Sequence, residues 1–316
     1  MPTDQRPNAA LVTGCSSGIG RATALALHRA GHTVYATARR PETLADLAAR
    51  GPRPLALDVT DEDSMAAAIA EVTAAEGAVT TLVNCAGYGL TGPVEEESVQ
   101  AAREQFETNL FGAARLTQLA LPGMRARGRG TVVNISSIFG RYAVPGGAFY
   151  HASKHALEAF SDALRLEVAR FGVRVVVIEP GPVRTRFGER FVAGFQDSGG
   201  PRPGEGDGAA GDGPAGGGAA GEGTAGGAGP YDDFRRRSAA YYATVFAGGR
   251  DGRRTLAGSL LVEPEDVARA VVRAAEARRP RARYRVGLLA RTTIQLRRVL
   301  PDRAFDAFVR RQFPVP

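Results

Sequence analysis

The stretch "ALVTGCSSGIGRATALAL", residues Ala10–Leu27, places an apolar run, a glycine-rich turn and a helix-forming run in immediate succession. In this setting Gly14 permits a tight turn, Gly18 lets the backbone approach a ligand, and Gly20 lets the helix pack against the strand. The backbone N–H groups of the turn and the positive end of the helix then face an anion such as a pyrophosphate. The strand–turn–helix setting near the chain start makes this pattern specific. The sequence therefore predicts a phosphate-binding turn.

Unbroken apolar runs of strand length alternate with Ala/Leu-rich stretches of helical periodicity along the rest of the chain. Such runs are typical of strands buried on both faces, as in a parallel sheet covered by helices. Right-handed crossovers between them produce a doubly wound α/β fold of the Rossmann type, with three layers, α/β/α. The predicted strands lie in residues 9–13, 33–38, 54–59, 81–87, 130–137, 173–181 and 282–289. The predicted helices include Arg21–Ala30, Met65–Ala75, Gln100–Arg125 and His151–Phe171.

Residues 197–230 are roughly half glycine, so burial does not offset the entropy of ordering them. We predict a disordered insertion there, within a single domain of residues 8–316, and expect the fold to survive deletion of Ser198–Gly229. Residues 8–196 form the core of that domain, and residues 231–316 add its last strand and C-terminal helices. These include a helix near Pro264 with acids at its positive end, and a basic amphipathic tail, Arg291–Phe313, broken at Pro301.

Composition narrows the class of protein. With 316 residues, 44% of them hydrophobic, the chain can bury a full core. It has no run of about 18 apolar residues and no secretory signal near its start, so we expect a cytoplasmic protein. Cys15 and Cys85 both fall in glycine-containing turns and need not pair, which suits a reducing compartment. We assign no metal site.

The positive charge is concentrated near the end of the chain. Of a net charge of +7, the segment from Tyr231 to Pro316 carries 19 arginines against 9 acidic residues. Because no DNA-binding motif accompanies this charge, we interpret it as a solvated helical surface and expect no nucleic-acid partner. Weak association with a membrane surface stays open.

Lys154 is the only lysine of the sequence, among 40 lysine and arginine residues. Lysine and arginine differ in shape and proton affinity, so this exception marks a demanding site. Tyr150 lies four residues earlier, on the same face if the segment is helical. A free tyrosine has a pKa near 10, and a nearby cation lowers it by favouring the phenolate. The pair therefore indicates a tyrosine that acts as a general acid or base with a lowered pKa.

Together with further motifs, these residues resemble the short-chain dehydrogenase/reductase family. The motifs follow the family's order and intervals from Ala9 to about Phe187, with Cys85 in "NCAG" as a small departure. They are "TGCSSGIG" (13–20), Asp58 in "LALDV", "NCAG" (84–87), Asn109 in "FETNLFG", "NISS" ending at Ser137, Tyr150-x-x-x-Lys154 and "PGPVRT" (180–185). The resemblance implies an oxidoreductase that transfers a hydride between a nicotinamide cofactor and a ketone or secondary alcohol.

The resemblance also implies roles for individual residues. Tyr150 is the general acid in reduction and the base in oxidation, and Lys154 tunes it and orients the cofactor. Ser137 hydrogen-bonds the substrate oxygen, and Asn109 holds a water in the proton relay. The implied cofactor-binding positions are Gly14, Ser16, Ser17, Gly18, Ile19, Gly20, Arg39, Asp58, Val59, Asn84, Ala86, Gly87, Tyr150, Lys154, Pro180, Gly181, Val183 and Thr185.

The end of the second strand indicates which cofactor binds. It reads Ala38-Arg39, where an NAD-specific member usually places an acidic residue that binds the ribose hydroxyls. An arginine there, with the hydroxyl of Ser16 or Ser17, suits the 2′-phosphate of NADP. We therefore predict NADP(H) in preference to NAD(H), with Arg40 as an alternative to Arg39.

"VTGCSSGIG", "VYATAR", "GPV" and the late "PEDVA" resemble the branch that contains 17β-hydroxysteroid dehydrogenase type 1 and the retinol dehydrogenases. That resemblance implies a bulky apolar substrate, similar to a steroid, a retinoid or a polyketide. We predict that Val144, Pro145 and Phe149 line its binding site, beside Ser137 and Tyr150. The resemblance also implies a homodimer or homotetramer formed through the helices of residues 100–125 and 149–171.

Three other functions stay open: a cofactor-bound regulator without chemistry, a binder of nucleic acid or lipid surfaces, and a sugar-nucleotide epimerase. Regulators of this kind usually lose the tyrosine–lysine pair, which is present here. Epimerases carry a different glycine spacing and a larger C-terminal domain. His151 and His155 flank the pair, and we interpret them as surface or packing residues.

Overall fold

The structure is a computed structural model that describes residues 8–196, 229–247 and 260–313. Residues 197–228, most of the predicted glycine-rich insertion, lie outside the described residues, so the predicted disorder and the deletion stay predictions.

All seven predicted strands are present and form one parallel sheet. Its strand order is β3-β2-β1-β4-β5-β6-β7. The predicted Rossmann-type fold is confirmed, and the last strand pairs with β6 in the same sheet. The strands are β1 Ala9–Val12, β2 Thr33–Ala38, β3 Arg53–Ala56, β4 Thr81–Asn84, β5 Gly130–Ile135, β6 Val173–Pro180 and β7 Arg283–Val286.

Eleven α-helices lie in the described ranges. They are α1 Gly18–Arg29, α2 Ala45–Ala48, α3 Glu62–Glu76, α4 Val99–Phe106, α5 Gly112–Ala126, α6 Ala148–Val168, α7 Arg186–Gly194, α8 Asp232–Ala247, α9 Pro264–Glu276, α10 Leu288–Val299 and α11 Asp302–Gln312. We predicted one helix over Gln100–Arg125. The structure differs in one respect, because a π-helical turn, Glu107–Phe111, separates α4 from α5. Helices α2 and α7 were not predicted, and α8 lies within the region of residues 231–316 for which C-terminal helices were predicted without bounds. No helix in these ranges is long and apolar enough to cross a membrane.

The core lies on the two faces of the sheet, and β1 shows how the sequence builds both. Successive side chains of a strand point to opposite faces. Ala10 and Val12 pack in the cluster that includes residues of α1 and α9. Ala9 and Leu11 pack in the cluster that includes residues of α3, α5 and α6. An unbroken apolar strand is therefore what this position requires.

The strand order reverses at β1, which lies between β2 and β4. In doubly wound sheets, ligands bind in the crevice at the carboxyl ends of the strands beside such a reversal. Thr13, which follows β1, joins the two turns there. Its hydroxyl accepts hydrogen bonds from the N–H groups of Cys85 and Ala86, both at 2.9 Å. The crevice is thus fixed by side-chain-to-backbone bonds. Cys15 and Cys85 are not joined by a disulfide.

A third apolar cluster combines residues after β5 with residues from α7, α8, α10 and α11. It contains many aromatic side chains, among them Tyr142, Phe191, Tyr242 and Phe305. The C-terminal helices therefore pack beside the carboxyl end of β5, next to the crevice.

Candidate active site

A cavity of about 1580 Å³ lies at the carboxyl edge of the sheet. Its lining runs from the glycine turn after β1, past the ends of β2, β4, β5 and β6, to residues of α7, α8, α10 and α11. A pocket for one drug-sized ligand measures roughly 300–1,000 Å³. This cavity has room for two ligands side by side.

The glycine turn leaves no space for side chains at the start of α1. Gly14 has a φ of 71°, in the left-handed region, and a Cβ there would lie 3.0 Å from the Cα of Ala86. A Cβ on Gly20 would lie 2.3 Å from the carbonyl oxygen of Gly14. A Cβ on Gly18 would lie 2.9 Å from Cγ2 of Thr185. The turn is therefore packed against the loop after β4 and against Thr185, and its three glycines line the cavity.

Tyr150, Lys154 and Ser137 meet at the cavity. The two α6 residues are one helical turn apart, and Ser137 follows the end of β5. The ammonium of Lys154 donates a hydrogen bond to the carbonyl oxygen of Ile135 at 3.0 Å, and its Nζ lies 5.9 Å from the centre of the Tyr150 ring. The phenol of Tyr150 hydrogen-bonds the Ser137 hydroxyl. All three line the cavity while being almost fully buried.

Burial opposes charge on both members of the tyrosine–lysine pair. It raises the pKa of Tyr150 to about 12, although the hydrogen bond with Ser137 acts in the opposite direction. It lowers the pKa of Lys154 to about 8, against the charges of Cys85 and Glu158, which raise it. The expected lowering of the Tyr150 pKa was therefore wrong for this structure, because desolvation of the phenolate outweighs its stabilisation.

Asn109 lies in the π-helical turn and is 1% exposed, and it is not part of the cavity lining. Its side chain binds the backbone of Tyr88: Oδ1 accepts from the Tyr88 N–H at 3.0 Å, and Nδ2 donates to the Tyr88 carbonyl at 2.9 Å. Nδ2 also donates to the hydroxyl of Ser153 at 3.1 Å. The Asn109 side chain thus fixes the loop after β4 against α6. The water-holding role predicted for it stays a prediction.

Most of the predicted cofactor positions line the cavity: Gly14, Ser17, Gly18, Ile19, Gly20, Arg39, Asp58, Val59, Ala86, Gly87, Tyr150, Lys154, Pro180, Gly181, Val183 and Thr185. Arg40, the alternative to Arg39, does not line it. Ser16 does not line it either, and its buried hydroxyl has no hydrogen-bond partner among the described residues.

Asn84 also does not line the cavity, because its side-chain amide forms hydrogen bonds inside the protein core. Its Nδ2 donates to Oδ1 of Asn134 at 2.8 Å and to Oγ1 of Thr117 at 3.2 Å. Those bonds join β4 to β5 and α5. In this structure the Asn84 side chain therefore contacts the core and not the cavity.

The apolar wall of the cavity differs from the one predicted. Val144 lines it, whereas Pro145 and Phe149 do not. Most of the wall comes from aromatic residues that the sequence analysis missed, namely Tyr88, Phe139, Tyr142, Phe187, Phe191, Tyr241, Tyr242, Phe246, Phe308 and Phe313. The only available signal was the recurrence of phenylalanine at every fourth position from residue 187, which marks one face of a helix.

Aromatic rings lie next to one another along this wall, starting from the Tyr150 phenol. The Tyr150 ring centre lies 5.5 Å from that of Phe187 and 6.1 Å from that of Phe191. Phe191 in turn lies 4.9 Å from the Tyr242 ring. His151 is buried as a packing residue, with its ring 4.4 Å from that of Phe139.

Residues 8–194 match the model of the short chain dehydrogenase family. The chain belongs to that family and is an oxidoreductase, of a class that uses NAD(P).

Three curated relatives show the extent of the similarity. The uncharacterized oxidoreductase YbbO of Escherichia coli is 43% identical over 178 residues, 56% of this chain and 66% of the relative. The 3-ketodihydrosphingosine reductase of Bacteroides thetaiotaomicron is 39% identical over 183 residues, 58% of this chain and 66% of the relative. Human retinol dehydrogenase 8 is 39% identical over 197 residues, 59% of this chain and 62% of the relative. The matched region spans just under two thirds of each relative.

Solved structures extend the similarity to the whole chain. A short-chain dehydrogenase from Streptomyces avermitilis has a TM-score of 0.69 and 32% sequence identity, covering 97% of this chain and 96% of that one. A metagenomic short-chain oxidoreductase in complex with NADP has a TM-score of 0.53 and 36% identity, covering 56% of this chain and 83% of that one.

Proposed function

We propose that this protein transfers a hydride between NADP(H) and a bulky apolar ketone or secondary alcohol, using Ser137, Tyr150 and Lys154. The observation that carries the proposal is the position of these three side chains. They lie in one cavity, between a glycine turn shaped for a pyrophosphate and a wall of aromatic rings.

The cofactor side of the cavity fits a dinucleotide phosphate. Gly14, Gly18 and Gly20 line the cavity at the start of α1, where a helix N-terminus favours an anion. Ser17, one of the two serines whose hydroxyl was predicted to bind the phosphate, lines the cavity. Arg39 lines the cavity at the end of β2, which supports the preference for the 2′-phosphate of NADP(H). One of the solved relatives is an NADP complex.

The bound cofactor supplies or accepts the hydride at its nicotinamide ring. As the carbonyl oxygen of the substrate gains negative charge, the Ser137 hydroxyl stabilises it and the Tyr150 phenol donates its proton to it. Lys154, an ammonium whose pKa is about 8, then lies beside the phenolate that remains. With a pKa of about 12, Tyr150 is protonated at neutral pH, which is the state that carbonyl reduction requires. We therefore propose that at neutral pH the phenol is in the form that acts as the acid in reduction.

The aromatic wall supports an apolar substrate. Aromatic side chains provide large apolar contact areas, and several of them line the cavity beyond Tyr150. Two relatives are named for 3-ketodihydrosphingosine and for retinol. We infer a substrate of comparable apolar character for this chain, and a steroid-like ketone stays within the proposal.

We also propose that the protein works in the cytoplasm as a homodimer or homotetramer. Two large apolar side chains are exposed in the segments predicted to form the interface, Phe111 before α5 and Leu166 of α6, and Val99 is exposed directly before the first of these segments. Size-exclusion chromatography with light scattering measures the oligomer directly. A monomer at micromolar concentration would contradict this part of the proposal.

The test of the function is NADPH consumption with a panel of apolar ketones, comparing wild type with Tyr150→Phe. We expect turnover to fall by a factor of about 10² to 10⁴, while NADPH binding stays nearly unchanged, because only the proton donor is removed. Tyr35→Phe is the matched control, since Tyr35 is equally buried but lies outside the cavity. A fully active Tyr150→Phe variant would refute the assignment. A wild-type protein that binds NADPH but consumes none with any ketone would favour a regulator.

A further inference from the structure

Helix α6 carries a third buried ionisable residue in line with the catalytic pair. Tyr150, Lys154 and Glu158 follow one another at intervals of four residues, so they lie on one face of the helix. Glu158 is 3% exposed, and the steps described above do not use it.

Glu158 belongs to a cluster of five charged residues, which we call the α6–β7 charge cluster. Its members are Arg141, Glu158, Glu179, Arg283 and Arg285. The guanidinium of Arg283 lies between the two carboxylates, with its Nε 2.9 Å from Glu158 and 3.3 Å from Glu179. Arg285 lies 3.3 Å from Glu179, and Arg141 lies 3.7 Å from each carboxylate.

The cluster is packed directly against the catalytic elements. The Glu158 side chain and the hydroxyl of Ser136, the residue before Ser137, both lie next to Gly140. A Cβ on Gly140 would lie 2.6 Å from the Ser136 hydroxyl and 3.0 Å from Cγ of Glu158, so this contact leaves no room for a side chain. Glu179 precedes Pro180 at the end of β6, and Pro180 lines the cavity. Burying a pair of ions usually adds little stability, so such a cluster calls for another role.

Lys154 depends on charges that it does not touch. Among the described residues it forms no ion pair within 4.0 Å, and its Nζ is held by the carbonyl of Ile135. The titratable groups that face it are Tyr150 on its own helix, Cys85 after β4, and Glu158. Of these, Glu158 is the only carboxylate.

We propose that Glu158 is a positioning residue that maintains the positive charge of Lys154 from one helical turn away, and that Arg283 holds Glu158 ionised for this purpose. The effect of Glu158 on the charge of Lys154 does not depend on whether the protein is an active enzyme. Its consequence for turnover rests on the function proposed above.

Lys154 can be observed directly, because it is the only lysine in the chain. Protein labelled with ¹³C at the lysine ε-carbon gives a single side-chain resonance, whose pH titration reports the pKa of Lys154. Removing a negative charge one helical turn away in a buried site makes the charged ammonium less favourable. Glu158→Gln should therefore lower the Lys154 pKa by about one unit from its value of about 8.

Two variants serve as controls. Glu158→Asp retains the charge and should keep the titration within about 0.3 units of wild type. Asp162→Asn removes an acid one turn further along α6 that binds Arg283 at 2.6 Å, and it should leave the titration unchanged. If Glu158 only holds β7 against α6, Glu158→Gln will lower the melting temperature without moving the lysine titration, and the proposal fails.

Glu158→Gln leaves Arg283 with one carboxylate fewer, so folding is checked by circular dichroism with saturating NADP⁺. Should the variant not fold, Glu158→Gln combined with Arg283→Gln removes both members of the ion pair, and it should still lower the lysine pKa, because Glu158 and not Arg283 acts on Lys154. An unchanged titration there overturns the proposal. In an active enzyme, the alkaline limb of the reduction rate should shift to lower pH in Glu158→Gln alone. A lysine shift without measurable turnover would leave this inference standing and refute the proposed function.

Discussion

Gly20→Ala tests whether the glycine turn is the cofactor site. The added Cβ would lie 2.3 Å from the carbonyl oxygen of Gly14 and 2.9 Å from that of Thr13. Both are backbone atoms and cannot rotate away, so the start of α1 must move off the turn. Overpacking of this kind costs about 1–3 kcal/mol. Each kcal/mol lowers the melting temperature by roughly 2–4 °C in a protein of similar size.

The same displacement should weaken NADPH binding, because the N–H groups at the start of α1 leave their positions around the pyrophosphate. We expect a loss of about tenfold. At an NADPH concentration of 100 times the wild-type Kd, ligand stabilisation is about 2.7 kcal/mol, and a tenfold weaker site reduces it to about 1.4 kcal/mol. Thermal unfolding with and without NADPH measures both effects, and the ligand-induced shift should fall by about half.

Gly31→Ala is the control variant that distinguishes an effect on protein stability from an effect on NADPH binding. Gly31 lies just after α1 with a φ of 87°, and a Cβ there would meet no atom within 4 Å. Left-handed backbone strains an alanine by about 1–2 kcal/mol, so this variant should lose stability while keeping the full NADPH-induced shift. If Gly20→Ala also keeps the full shift, the dinucleotide does not bind at this turn.

Further expectations concern three other residues. Arg39→Ala should raise the Km for NADPH by about 10- to 100-fold with little change for NADH, since a charge-assisted contact with the 2′-phosphate is lost; equal effects on both cofactors in steady-state assays would contradict this. Lys154→Arg should lower kcat at least about 100-fold while far-UV circular dichroism stays native, because a planar guanidinium does not replace a buried ammonium; near-normal kcat would be the contrary result. Burial, with a smaller effect of His155, lowers the pKa of His151 to about 3, below its unfolded value of 6.5. Its contribution to stability is therefore complete above pH 6.5 and is lost as the pH falls, by about 2 kcal/mol at pH 5. Between pH 6.5 and pH 5, urea unfolding should show a smaller loss of unfolding free energy in His151→Phe than in the wild-type protein. Equal losses in the two proteins would refute this expectation.

The strands and the glycine turn were predictable because their physical requirements are local. A strand covered on both faces must be apolar at every position, as β1 is, and the turn needs glycine where φ is positive or a backbone lies within contact distance. The spacing of Tyr150 and Lys154 was equally local, since four residues correspond to one helical turn.

The aromatic wall of the cavity was not predictable, because its members come from distant parts of the sequence. The ring of Phe191 packs on that of Tyr242, 51 residues later, and Tyr242 packs on Phe313. Nothing in the local pattern shows that these rings meet. The π-helical turn that contains Asn109 also could not be predicted from the sequence. One extra residue in a helical turn leaves the apolar spacing of Gln100–Arg125 nearly unchanged.

The direction of the Tyr150 pKa shift depends on a balance that spacing alone does not reveal. A lysine one turn away favours the phenolate, but the same burial that creates the site opposes both the phenolate and the ammonium. With a pKa of about 12, ionising Tyr150 at pH 7 costs about 7 kcal/mol, whereas donating its proton starts from the stable state. In a buried tyrosine–lysine pair, the tyrosine thus acts readily as a proton donor and poorly as a base. The phenolate that forms after proton donation is stabilised only if Lys154 stays charged. That condition is the physical reason for placing a carboxylate, Glu158, one turn further along the same face of α6.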